Sequence, residues 1–313
     1  MHGDILLLSC YELGHAPAGI AWPAAFLRRA GFSPQVIDLA TCELDEAAVR
    51  KALRLAVPVA RRIRELNAAA HICFHGLYAQ LNREWLLANV ADSCLGGESE
   101  QALVALCEAL ARGESAPMPA APLLARPDYP IPDGSGLAGD YAELLDNGHS
   151  VQAGFAEATR GCKYTCRHCP VTPVYNGRFF VVPVENVLQQ VRKQVAGGAR
   201  HITFGDPDFL NGPRHALRVA EALHAEFPQL TFDITAKVEH LLDHADLLPQ
   251  LAECGCLFIV TAVESLSDNV LEILDKGHTR SDVERALAAT RAAGIAMRPS
   301  LVAFTPWTTL DDY

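Results

Sequence analysis

Apolar positions along the chain come in short runs separated by segments of helical period. Residues 4–8 (DILLL) form a continuous run of strand length, and residues 20–30 (IAWPAAFLRRA) read as a helix stopped at Gly31. Two more short strands are expected at 35–38 and 71–75, and one or two helices over 45–67. Residues 98–112 make a helix with Leu103, Leu106 and Leu110 on one face. This alternation predicts βαβ units around a small parallel sheet.

The pattern breaks at Pro117, Pro119, Pro122, Pro127, Pro130 and Pro132, which lie too close together for a helix or a central strand. Residues 113–150 are therefore expected to be a linker, loop-like with one short helix after Gly134. A more regular alternation starts at Phe155, with strands expected at 155–159, 201–204, 230–236, 257–263 and 296–304. Between them, residues 184–196 place Val184, Val187, Leu188, Val191 and Val195 at helical spacing and stop at Gly197. Ser281-Asp282-Val283-Glu284 reads as a capping box for a helix that closes at Gly294. The strand spacing fits right-handed crossovers, but five strands are too few to close an eight-stranded barrel. The fold class expected is α/β: a short Rossmann-like N-terminal domain (1–112), a proline-rich linker (113–150) and a partial (β/α) barrel (151–313).

Composition narrows the function. At 313 residues the length suits about two domains of roughly 150 residues each. Half the residues are apolar and the formal charge is −11, which argues against a protein that coats phosphates. No apolar run reaches the roughly 18 residues of a membrane span, and residues 4–8 lack the basic flank of an export signal. A reducing, cytoplasmic setting is expected. Seven of the ten cysteines lie in or beside apolar segments, while Cys162, Cys166 and Cys169 are bunched, which in that setting favours a metal site over a disulfide.

The bunch lies in residues 157–170 (EATRGCKYTCRHCP), directly after the first strand of the second alternation, where barrel loops carry chemistry. Three thiolates can hold three corners of a cubane and leave the fourth iron open to a small chelating molecule. Arg160, Lys163 and Arg167 favour deprotonated thiols. A zinc site would need a fourth ligand, with only His168 squeezed between the cysteines, and a ferredoxin-like carrier would need a fourth cysteine.

Cys162-x-x-x-Cys166-x-x-Cys169, with ring-bearing His168 before the last cysteine, resembles the signature of the radical S-adenosylmethionine (SAM) superfamily. Gly205-Asp206-Pro207-Asp208-Phe209 stands where that superfamily has a glycine-rich turn. Val263-Glu264-Ser265, followed by Leu271 to Lys276-Gly277-His278-Thr279, resembles radical enzymes with an N-terminal cobalamin-binding-type domain. The resemblance implies that Cys162, Cys166 and Cys169 hold a 4Fe-4S cluster, with His168 beside it. It also implies that Asp206, in the turn begun by Gly205, receives the ammonium of SAM, that Glu264 and Ser265 contact its ribose, and that Lys237 meets its carboxylate. Reductive cleavage of SAM would then start radical chemistry. Arg298 points either into the barrel mouth or outward.

Residues 1–112 resemble a cobalamin-binding-type domain in their opening strand, in 24–38 (AAFLRRAGFSPQVID) and in 95–100 (LGGESE). The Asp-x-His-x-x-Gly motif is absent, His15 has the wrong spacing, and a strand is missing between residues 45 and 58, so the domain reads as shortened. Cobalamin bound without a protein ligand and a scaffold that only shields the site remain alternatives. Residues 73–78 (CFHGLY) and 304–309 (FTPWTT) are similar to the group described by a CUAEP or CCAEP tail. That tail is absent and a sixth strand would follow Tyr313, so a truncated barrel is expected. The functional expectation is a radical SAM enzyme acting on an unidentified small molecule, lipid or peptide. It would draw electrons from a reductant such as flavodoxin or ferredoxin and have no nucleic-acid or membrane partner. The alternatives are a cobalamin-dependent radical SAM methyltransferase and a non-catalytic iron–sulfur or metal-binding module. Methylthio transfer is disfavoured by the lack of a second cysteine triplet.

Overall fold

The computed structural model describes residues 4–10, 16–39, 56–115, 119–132, 143–146 and 149–310. His15, Cys42, Pro117 and the 45–55 part of the expected helices lie outside them. The chain divides into two compact units, Met1–Ala142 and Glu143–Tyr313. Among the described residues no helix is long and apolar enough to cross a membrane.

In the first unit, strands β1 (Leu6–Ser9) and β2 (Gln35–Asp38) pair in parallel around the helix Ala18–Arg29. That helix ends as expected: Gly31 adopts φ 89° and Phe32 N–H returns to the Leu27 carbonyl at 3.0 Å. Leu7, Ile20, Leu27, Phe32, Leu103 and Leu106 form the core between these strands and the helix Glu100–Ala111. β3 (Cys73–His75) pairs in parallel with β4 (Ser93–Leu95). Two corrections follow. β4 was not expected, since a three-residue run carries no readable period. The one small sheet expected is also two separate ladders among the described residues.

The proline-rich segment packs on this unit. Leu123 N–H donates to the Gly96 carbonyl at 3.0 Å, and the Leu123 carbonyl accepts from Glu98 N–H at 2.7 Å. Gly97, at φ 73°, lies against the Leu123 carbonyl so closely that a Cβ there would collide with it. The Tyr129 ring meets Trp22 edge-on at 5.2 Å, and its hydroxyl donates to buried Glu98 at 3.1 Å.

The second unit is built on a curled six-stranded sheet of order β12-β11-β10-β9-β6-β5, a partial barrel as expected. Its parallel members are β6 (His149–Ala156), β9 (His201–Phe204), β10 (Thr231–Thr235), β11 (Cys256–Glu264) and β12 (Ala296–Leu301). β5 (Glu143–Asp146) adds an antiparallel hairpin arm to β6, where a loop with a short helix was expected. β6 also begins six residues before the expected Phe155, because Ser150 and Gln152 interrupt its apolar run. A second hairpin, β7 (Thr159–Gly161) with β8 (Phe179–Val181), brackets the cysteine segment.

The helix Val184–Ala196 has the bounds read from its valines. The capping box of helix Arg280–Ala292 is corrected by two residues, to Thr279 with Asp282; Ser281 already lies inside the helix. Alternation along the strands buries Ile202, Phe204, Phe232, Ile234, Ile259 and Val263 on one face. The other face carries His201, Thr203, Thr231, Asp233, Phe258 and Arg298. Arg298 is on this inner side, with Cζ 3.5 Å from the centre of the Phe258 ring. His201 Nδ1 and Nε2 lie 2.8 Å from Thr231 Oγ1 and Asp233 Oδ1, and Thr203 Oγ1 donates to Asp233 at 2.7 Å. These groups tie β9 to β10 near the end at which both strands begin.

Candidate cofactor-binding site

The three cysteines sit on the loop that leaves β6, and segments following the next three strands strap that loop in place. The segment after β9 acts first. Asp206 accepts from Ala158 N–H at 2.9 Å and from Thr159 Oγ1 at 2.6 Å. Asn211 Oδ1 accepts from Lys163 N–H at 3.0 Å, while its Nδ2 donates to the Gly161 carbonyl at 3.3 Å. His215 Nε2 lies 3.2 Å from the Ala158 carbonyl. Gly161 needs its φ of 81° and its lack of a side chain, since a Cβ would meet Arg178 and Tyr175 at 2.5 Å.

After β10, the His240 and Tyr164 rings pack at 4.8 Å. After β11, the Leu274 carbonyl accepts from Arg167 N–H at 3.3 Å, and Glu264 Oε1 lies 3.3 Å from His168 Nε2. Lys276, 2% exposed, donates to the same Glu264 oxygen at 3.5 Å. The loop closes on itself through Cys169 N–H to the Cys166 carbonyl at 3.2 Å and Thr172 Oγ1 to the same carbonyl at 3.1 Å.

The structure therefore brings His168 and Glu264 together beside the cysteines. Asp206 lies behind the loop, 2% exposed, with its oxygens turned to residues 158 and 159. Burial pushes its carboxyl up to about 7, against the lowering effect of the Thr159 and Ala158 bonds. Gly205 lets the Phe155 ring pass, where a Cβ would collide with it. Ser265 Oγ accepts from Ser267 N–H at 3.1 Å and so turns toward the start of helix Asp268–Ile273. Lys237 Nζ lies 2.9 Å from Glu239 Oε2 and does not join the His168–Glu264 pair. Sequence reasoning missed Asn211, His215 and Lys276 as straps. The signal available was a group of polar residues just past a strand end, which by itself reads as turn chemistry.

Burial pushes the Cys162 thiol up to about 11; Tyr164 N–H, bonded to its sulfur, pulls the other way, and Asp208, Cys169 and Cys166 raise it further. The three sulfurs thus share one electrostatic neighbourhood, and a metal binding them displaces a proton. Among the described residues no three His, Cys, Asp or Glu side chains converge as ligands of a single ion. A cubane asks for one thiolate at each of three iron corners, and a strapped loop that carries three cysteines within eight residues fits that group.

The radical SAM superfamily matches residues 157–304. This region is a radical SAM domain.

The relatives differ in how much of the chain they match. A tRNA-2-methylthio-N(6)-dimethylallyladenosine synthase of Chloroherpeton thalassium is 26% identical over 268 residues, 82% of this chain and 55% of that protein. The ribosomal protein uS12 methylthiotransferase RimO of Geobacter sulfurreducens is 27% identical over 177 residues, 53% of this chain and 39% of its own length. The chain thus spans about half the length of these relatives or less. Among solved structures, the cobalamin-dependent radical SAM enzyme OxsB with aqua-cobalamin superposes with a TM-score of 0.72 at 16% identity, covering 99% of this chain and 50% of OxsB. The radical SAM methyltransferase TsrM of Kitasatospora setae, with cobalamin and a [4Fe-4S] cluster, gives 0.63 at 17% identity over 100% of this chain and 69% of TsrM. At these identities the likeness is one of fold. It extends over a Rossmann-like unit as well as the radical SAM domain.

Proposed function

We propose that Cys162, Cys166 and Cys169 hold a 4Fe-4S cluster with which the protein cleaves SAM reductively and starts radical chemistry on a substrate at the inner face of the partial barrel. The observation that carries this reading is the approach of Glu264, from the end of β11, to within 3.3 Å of His168 beside the last cysteine. The cluster supplies the electron that breaks the sulfonium C–S bond. The chain's own groups do the rest. His168 and Glu264 border the side of the loop where the nucleoside part of SAM would lie, with Ser265 next to them. Asp206 and Gly205 fix the entry of the loop. The buried helix-facing side of the strands keeps the frame rigid.

The test is anaerobic reconstitution with iron and sulfide, followed by iron counting, electron paramagnetic resonance with and without SAM, and assay for deoxyadenosine. Four irons per chain and deoxyadenosine formation are expected. A wild-type chain that takes up no cluster overturns the reading, and a cluster that never cleaves SAM leaves the non-catalytic iron–sulfur module in its place. A flavodoxin- or ferredoxin-type donor in a reducing cytoplasm suits this chemistry. We further take 1–112, 113–150 and 151–313 as front domain, linker and radical SAM core.

A cobalamin-dependent methyltransferase is the second reading, favoured by the likeness to OxsB and TsrM over nearly the whole chain. Corrinoid absorbance that stays with the protein through gel filtration supports it, and free corrinoid alone counts against it.

A further inference from the structure

Tyr164 stands between Cys162 and Cys166, and its ring is clamped from outside the loop. Lys237 Nζ lies 3.6 Å from the ring centroid, well inside the roughly 6 Å reach of a cation–π contact. The His240 ring packs on the same phenol at 4.8 Å. Both clamping residues are fixed in turn. Lys237 is 8% exposed; its ammonium meets Glu239 at 2.9 Å and its backbone N–H donates to Asp208 Oδ2 at 3.0 Å. Asp208 Oδ1 accepts from Leu210 N–H at 2.9 Å and lies 2.8 Å from Nδ1 of His240, which is 0% exposed. Thus a single buried carboxylate after β9 bonds the Lys237 backbone and lies against the His240 ring, the two residues after β10 that hold Tyr164. Tyr164 follows Cys162 by two residues, so whatever holds its ring also restrains that arm of the loop.

We propose that Lys237 is a positioning residue for the cysteine loop: its ammonium holds the Tyr164 ring, and through it the Cys162–Cys166 arm, in place. This replaces the carboxylate contact expected for Lys237 from the sequence. The ammonium is engaged by an anion on one side and an aromatic face on the other. What Tyr164 contributes is the ring face, so phenylalanine serves equally. The arrangement belongs to the protein before any cluster binds, and it rests on the cluster assignment only for its effect on iron uptake.

The test compares the metal-free chain with four variants, by mass-mapped iodoacetamide alkylation of Cys162 under reducing, native conditions. Loss of a shielded cation–π contact in Lys237→Met, or of the ring in Tyr164→Leu, speeds modification of Cys162 by about tenfold. Lys237→Arg and Tyr164→Phe stay within about twofold of wild type, because each keeps a cation at position 237 over a ring, whereas Lys237→Met leaves only the more distant Lys163, 5.2 Å from the ring centroid. On reconstitution, Lys237→Met holds less iron and alters the resonance of the reduced cluster, and Lys237→Arg restores both. An unchanged Cys162 rate in Lys237→Met, or a failure of Lys237→Arg to restore it, overturns the proposal. Failure of the wild-type chain to bind iron removes the cluster assignment, while the alkylation series still decides the role of Lys237.

Discussion

His168 Nε2 and Glu264 Oε1 are 3.3 Å apart, so a residue flanked by cysteines touches the end of a strand 96 positions further along the chain. Glu264 adopts φ 66°, a left-handed conformation rare for a side-chain-bearing residue, where the β11–β12 register shifts. The same carboxylate compensates Lys276, which is almost wholly buried.

Glu264→Ala leaves that ammonium without its partner. Stability is expected to fall by roughly 3 kcal/mol in urea denaturation, the range for breaking a buried pair. Adding Lys276→Met recovers a large part of the loss. Deoxyadenosine formation stays low in both variants. If SAM cleavage returns with stability in the double variant, Glu264 acts only through Lys276.

Asp206 gives the fold a pH dependence of definite sign. Its carboxyl titrates near 7 in the folded chain, against 3.8 for the ordinary group. The folded state therefore holds the proton more tightly than the unfolded state. The stabilisation is complete below about pH 3.8 and is lost as pH rises through 7. Asp206→Asn is expected to flatten this loss, on the order of a few kcal/mol, when denaturation midpoints are compared between pH 5 and pH 8. Parallel curves for variant and wild type would show that the carboxyl is not held protonated.

Serine at Cys162, Cys166 or Cys169, one at a time, is expected to reduce iron and sulfide after reconstitution to background. Serine at Cys254, a buried thiol two residues before β11, leaves iron content at the wild-type value. Equal metal content in all four variants would place the iron elsewhere.

In the first unit, Gly97→Ala combines a left-handed φ with a collision against the Leu123 carbonyl. A loss of about 2 kcal/mol is expected in denaturation, with faster amide exchange at Leu123. An exchange rate unchanged at Leu123 would show that the strand-like contact does not depend on this glycine.

The candidate site was legible because thiol spacing is local: Cys162, Cys166 and Cys169 fall within eight residues. The helix Val184–Ala196 was legible for the same reason, its valines repeating at helical period. What stayed hidden depends on partners far away in sequence. The β5–β6 arm has no continuous apolar run, and a hairpin is recognised only when both edges are seen pairing. Asn211 and Lys276 are ordinary polar residues until the folded chain brings them to Lys163 and Glu264. Thr279 outcompetes Ser281 as helix cap because its extended backbone precedes the helix, a difference of two residues that pattern reading does not resolve.

The side chains of His201, Thr203, Thr231 and Asp233 stitch β9 to β10 across their shared ladder. Parting these two neighbours therefore severs polar rivets as well as backbone bonds.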